Sequence, residues 1–128
     1  MLRRNFLLSL AAAIVAPLPV VLTGKLAALP DKTVALRVGD KEIRLSSRDE
    51  YITAILADER LLGKQMQAAG NWEQKDRRLD VVQVYTLREG KLHRISYYCE
   101  ICNIWTSKPG PCVCCLQPVE LREVLEEP

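Results

Sequence analysis

All five cysteines of the chain fall between residues 99 and 115, and this cluster constrains the fold more than any other feature. Spaced as Cys99-x2-Cys102-x9-Cys112-x2-Cys115, they make two C-x-x-C turns nine residues apart. Each turn can point both sulfurs at one ion, and a short hairpin brings the two turns together. Four thiolates then supply a tetrahedral zinc site with Zn–S near ~2.3 Å. Pro109-Gly110-Pro111 provides the turn leading into the second knuckle. Cys114 is left over: C-x-C spacing suits a mononuclear tetrahedron less well than C-x-x-C, so it reads as a small buried hydrophobe beside the site. The sharper alternative is a spare thiol that exchanges with the ligands or hands over a metal. Other uses of the same thiols remain open. A rubredoxin-like iron site takes the same four ligands, copper is a further alternative, and an oxidising compartment would permit two disulfides or a redox-active pair. Attachment of c-type haem is excluded, because Asn103 and Leu116 stand where C-x-x-C-H requires histidine.

Upstream of the cluster, the chain reads as one small β-rich domain of residues 29–98. Thr33–Val38 and Lys41–Leu45 are β-type runs around Gly39-Asp40, which suits a type II′ hairpin. Ser47-Arg48-Asp49-Glu50 has capping-box spacing, and Tyr51, Ile52, Ile55 and Leu56 form an apolar helical stripe ending near Asp58-Glu59. Beyond Gly63, Met66 and Ala68 alternate with Gln65 and Gln67 as in a strand. Leu79–Leu87 and Lys91–Tyr98 read as antiparallel partners joined by Arg88-Glu89-Gly90. The order β-β-α-β-β-β predicts an α+β, mainly β fold. This is a small bent sheet or partly open, OB-like barrel with one helix, followed by a zinc-ribbon-like four-cysteine knuckle and tail, residues 99–128.

The N-terminus opens Met1-Leu2-Arg3-Arg4-Asn5-Phe6-Leu7-Leu8, and no charge follows until Lys25. Arg3-Arg4 with Asn5, Phe6 and Leu7 resembles the twin-arginine export signal of bacteria. Residues 1–28 are therefore expected to be a signal or membrane anchor of a periplasmic protein. Phe6–Leu22 is short for a spanning helix and contains Pro17 and Pro19, while Ala27-Ala28 is a poor peptidase site. Anchorage to the inner membrane and release both fit. Of the 18 Lys and Arg residues only Arg3, Arg4 and Lys25 precede residue 29, so the rest of the chain is close to neutral. That charge gives no nucleic-acid signature.

The order of an aromatic residue, C-x-x-C, a spacer ending Pro-Gly-x, and C-x-x-C resembles the small heavy-metal-binding domain of copper-type ATPases and efflux proteins. Cys99, Cys102, Pro109, Gly110, Cys112 and Cys115 match; Glu100, Asn103 and Val113 replace prolines, and Leu116-Gln117 replaces Gly-Met. The missing methionine removes a soft copper ligand. The arrangement also looks like exported bacterial proteins with a C-terminal C-x-x-C … PGPC-x-CC signature. The resemblance implies a metal held by Cys99, Cys102, Cys112 and Cys115, with zinc preferred to iron or copper. The competing classes are an accessory subunit of a membrane-bound redox complex and a thiol–disulfide protein. No catalytic constellation is visible. The chain has one histidine, His93, which reads as an ordinary strand residue. Asp58-Glu59 lacks a partner base or nucleophile, Trp72 reads as a core or hairpin anchor, and Lys75, Arg77 and Arg78 read as a solvated turn rather than a lipid contact.

Overall fold

Strand alternation and two-residue turns dictate most of the architecture seen in the computed structural model, which describes residues 19–126. Strands β1 (Val20–Ala28), β2 (Val34–Val38) and β3 (Lys41–Ser46) precede helix α1 (Glu50–Leu56) and a 3-10 turn (Glu59–Leu61). Then follow β4 (Gln65–Glu73), β5 (Arg78–Arg88), β6 (Lys91–Cys99), β7 (Ile104–Thr106) and β8 (Glu120–Leu125).

The sheet bends round on itself. β1 pairs antiparallel with both β2 and β4, β2 pairs with β3, and β4 with β5. The circuit closes where β3 runs parallel to β5 through Arg44↔Arg78, Leu45↔Leu79 and Ser46↔Asp80. This is the bent, mainly β arrangement with one helix that the sequence predicts, and the short closing contact leaves it partly open. Close approach at two places needs glycine: a Cβ on Gly24 would lie 2.2 Å from the Arg37 carbonyl oxygen, and one on Gly70 2.0 Å from that of Asp80. Gly70 also sits at the register shift that bends β4 against β5.

Local chemistry explains the turns. At Gly39-Asp40 only Gly39 has positive φ (64°), the type II′ pattern, and Val38 pairs directly with Lys41. The β5–β6 connection is two residues rather than the expected three: Arg88 pairs with Lys91, and Glu89 (φ 54°) and Gly90 (φ 75°) make a type I′ turn. The helix cap also differs from expectation. Asp49, not Ser47, accepts from the amides of Tyr51 and Ile52. The Ser47 hydroxyl instead donates to the Val81 carbonyl at 2.6 Å and accepts from the Asp49 amide. Ser47 is thus spent on tying the strand end to β5, and the Asp49 carboxylate takes over the cap.

A further correction concerns the boundary at residue 28. Residues 20–28, assigned to the leader from their apolar character, form β1, in which Leu26 is buried while Thr23 and Lys25 face solvent. A strand at the heart of a small sheet and the tail of an export signal share the same composition, and only partner strands distinguish them. The twin arginines and the rest of the run to Leu18 lie outside the described residues. Among the described residues no helix is long and apolar enough to cross a membrane.

One apolar core joins the bent sheet, helix and cysteine segment. Leu26, Leu36, Met66, Leu79 and Val81 meet Ile52, Ile55 and Leu56 of α1, and the same cluster takes in Tyr97, Cys99, Cys112 and Val119.

Candidate metal centre

β6 carries Tyr97 and Cys99 inward on one face, and the chain leaves the strand through the first knuckle. β7 returns it along β6, with Cys99 opposite Ile104. An isolated bridge between Pro111 and Pro118 flanks the second knuckle, and β8 then pairs with β6 from Tyr98↔Glu120 onward. The two C-x-x-C turns are thereby held face to face, and the sulfurs of Cys99, Cys102, Cys112 and Cys115 all lie within 4.8 Å of one another. Cys99 and Cys112 are buried and Cys102 and Cys115 half-buried, so the first sulfur of each knuckle faces the core and the second faces outward.

The two knuckles share their local geometry. In the first, the amides of Cys102 and Ile101 are directed at the Cys99 sulfur; in the second, those of Cys115 and Cys114 are directed at Cys112. The residue after each second cysteine, Asn103 (φ 55°) and Leu116 (φ 62°), adopts the left-handed conformation that turns the chain away from the sulfurs. Asn tolerates that conformation; Leu does not ordinarily adopt it, so the surroundings hold it there. In the second knuckle the Leu116 amide donates to the Cys112 carbonyl at 2.9 Å and the Cys112 amide to the Gln117 carbonyl at 2.8 Å.

Electrostatics follow from these contacts. The amides of Cys115 and Cys114 pull the Cys112 thiol down to about 6. The neighbouring Cys115 sulfur, with burial, pushes Cys102 up to about 12. At Cys99 the Cys102 amide pulls down, but burial and the sulfurs of Cys115 and Cys112 prevail and raise it. Four thiols in such proximity resist losing several protons at once unless a cation shares the charge. A zinc tetrahedron with Zn–S of 2.3 Å has sulfur–sulfur edges of about 3.8 Å. The observed spread, from 3.5 Å between Cys99 and Cys115 to the 4.8 Å limit, brackets that edge, so the four residues fit such an ion.

All four predicted ligands thus come together. Cys114 does not behave as expected: it is exposed, because the turn that aims Cys112 and Cys115 inward sends the intervening side chains out. His93 lies away from the cluster, its Nδ1 2.9 Å from the Lys91 carbonyl. Tyr97 is fully buried, whereas Trp105 is exposed and tilts against Tyr98 at 4.8 Å between centroids. Trp72 is exposed rather than in the core, and it pairs with Leu79 in the β4–β5 hairpin.

One polar network escapes the sequence reading, which considers Asp58 only as half of an acid pair with no base or nucleophile beside it. The Tyr97 hydroxyl donates to Asp58 Oδ2 at 2.9 Å, and Arg60 grips both carboxylate oxygens at 3.0 and 2.9 Å. Arg60 Nη1 also donates to the Val119 carbonyl at 3.1 Å, just beyond the second knuckle. Burial pushes the Asp58 carboxyl up, but the Arg60 and Tyr97 bonds outweigh it and hold it below the usual carboxylate range. Burial and the Asp58 acceptor push the Tyr97 phenol well above its ordinary value. The one sequence signal was the Asp58-x-Arg60 spacing, since an Asp capping a turn often receives the amide two residues on.

Comparison with protein-family models, with curated proteins and with solved structures finds no match for this chain.

Proposed function

We propose that this chain is an exported metal-binding protein in which Cys99, Cys102, Cys112 and Cys115 hold one zinc ion as a structural staple. The observation that carries this reading is the convergence of four sulfurs within 4.8 Å from two knuckles of matching geometry. Zinc suits the set because it has no geometric preference beyond the tetrahedron the thiolates offer, and it brings no redox change. When bound, the ion supplies positive charge that keeps all four sulfurs deprotonated. The chain's own amides at Ile101, Cys102, Cys114 and Cys115 spread the remaining negative charge. The site ties the end of β6 to the segment entering β8, and both join the common core. A small domain gains much from such a clamp, because the four ligands meet only in the folded chain.

The twin-arginine-like leader supports the same reading from a different direction. That route carries folded proteins, so the thiols load their ion in the reducing cytoplasm and reach the periplasm already capped.

The test is native mass spectrometry with elemental analysis on the full chain purified without added metal. One zinc per chain, leaving a single titratable thiol at Cys114, is the expected result. A metal-free chain lighter by four hydrogens would refute the staple and establish a disulfide protein. One iron with red colour would make it an electron carrier and favour the redox-subunit reading.

A further inference from the structure

We propose that the N-terminal apolar run stays attached as a membrane anchor, and that the projecting end of the β4–β5 hairpin lies in the headgroup layer of an anionic bilayer. The inference rests on the export reading above and adds which face of the domain meets lipid.

Two observations argue for attachment. The small residues after the run that offered a peptidase site, Ala27 and Ala28, lie inside β1, paired with Ala35 and Val34. Cutting after Ala28 would remove a strand that pairs with both β2 and β4 and carries the buried Leu26. The uncharged stretch that begins at Asn5 therefore ends inside β1, where a cut would break the sheet.

The register then fixes what lies beside the point of entry. Val20, the first residue of β1, pairs with Gly70 of β4, and Gly70 with Val81 of β5. Because β1 and β4 are antiparallel, β4 continues in the direction from which the chain enters β1. The β4–β5 ribbon extends past that level by Asn71↔Asp80, Trp72↔Leu79 and Glu73↔Arg78, then turns through residues 74–77. At about 3.3 Å per residue this overhang reaches roughly 10 Å beyond Val20 before the turn.

Its chemistry suits a headgroup layer. Trp72 is 42% exposed on the overhang, and Val21, at the second position of β1, is 55% exposed. Tryptophan favours the membrane interface, where an apolar ring meets a polar N–H. Arg78 is engaged by Glu73 at 3.2 Å and Asp76 at 3.5 Å, and Arg48 by Glu73 and Asp80. Lys75 and Arg77 form no ion pair among the described residues, and Arg77 takes a left-handed turn conformation (φ 51°). Two free cations on a projecting turn match the phosphates of an anionic surface.

The chain's two tryptophans make the test direct. The full chain is reconstituted into vesicles of phosphatidylcholine and phosphatidylglycerol in which the phosphatidylcholine carries brominated acyl chains. Trp105→Phe leaves Trp72 as the reporter, and Trp72→Phe leaves Trp105 on the knuckle. Flotation of both variants with the vesicles after alkaline carbonate washing, with Trp72 losing most of its emission and Trp105 keeping its own, is the expected result. In the Trp105→Phe background, Lys75→Ala with Arg77→Ala should remove the dependence of that quenching on phosphatidylglycerol. Failure to float would overturn the anchor, and with it the whole inference. Flotation without quenching of Trp72, or with equal quenching of both rings, would leave the anchor standing and overturn the hairpin contact.

Discussion

Replacing Tyr97 by Phe removes one oxygen from the interior and leaves packing otherwise intact, which isolates the link between the cysteine knuckle and the 3-10 turn after the helix. Tyr97 lies two residues before Cys99, is fully buried, and donates to Asp58 at 2.9 Å. A hydrogen bond to an ionised acceptor contributes about 1.5–3 kcal/mol. The lower part of that range applies here, because Asp58 keeps its bonds from the Arg60 amide, Nε and Nη2 and is not left bare. The loss should be about 2 kcal/mol, or roughly 8–16 °C in Tm for a domain near 100 residues. The assay is thermal unfolding of the zinc-loaded full chain at fixed free zinc, with metal content measured on the same samples. The pH profile carries a second signature. Asp58 is held below its ordinary value in the folded state, so its contribution is present above the unfolded value near ~3.9 and is lost as pH falls through the lower folded one. Tyr97 is raised, so its contribution is intact below about 10 and is lost as pH rises further. The gap between wild type and Tyr97→Phe should be widest near neutrality and narrow at both extremes. A difference under about 0.5 kcal/mol at pH 7, or one independent of pH, would refute the argument that this network supports the fold.

Other perturbations test separate parts of the structure. Cys102→Ser and Cys112→Ser should each abolish stoichiometric zinc in elemental analysis, while Cys114→Ser should retain one ion per chain because that thiol points outward. Chelator titration followed by circular dichroism should unfold or loosen the wild-type domain, and restoring zinc should reverse it. Gly70→Ala places a methyl 2.0 Å from the Asp80 carbonyl oxygen and should destabilise the domain by more than about 3 kcal/mol in denaturant melts. Asp49→Ala removes the acceptor for the Tyr51 and Ile52 amides and should cost about 1 kcal/mol by the same measurement.

What the sequence made legible was whatever local chemistry determines. Gly39-Asp40 and Gly90 announce their turns because few residues adopt positive φ, and the alternation of Met66 and Ala68 with glutamines marks β4. The four ligands were legible because C-x-x-C spacing is itself a geometric statement. Long-range competition was not. Ser47 has the right spacing for a cap, yet its hydroxyl goes to Val81, thirty-four residues away. Val20–Ala28 carries the composition of a leader's end but is held by β2 and β4. The Tyr97–Asp58 bond was not legible because the two lie thirty-nine residues apart, although Arg60, the other partner of Asp58, is only two residues on.

The same long-range contacts explain why a bent sheet so small carries its knuckle as part of one core rather than as an appendage. β6 pairs with β5 only from Tyr85↔Arg94 to Arg88↔Lys91; beyond that, β3 occupies the start of β5. The second half of β6 is therefore free of β5 and needs other support. β7 and β8 flank it, Tyr97 reaches from it to Asp58, and Arg60 fastens the Val119 carbonyl where the second knuckle rejoins the sheet. The cysteine cluster lies at the end of this diverging strand, where the two returning segments must be brought together. The proposed metal clamp at that position would close the largest loop of the C-terminal segment with four bonds from two turns. Without it, β8 is held by β6, by the Arg60 contact at Val119, by the packing of Val119 and Leu121 on the core, and by the pairs of Glu123 with Lys64 at 2.6 Å and Arg88 at 3.5 Å. Loss of the proposed ion should therefore loosen β7 and β8 before β1–β5. Hydrogen exchange of the apo chain should show protection retained at Leu36, Met66 and Val81 while Leu121–Val124 open, and uniform protection across both regions would contradict this order of stability.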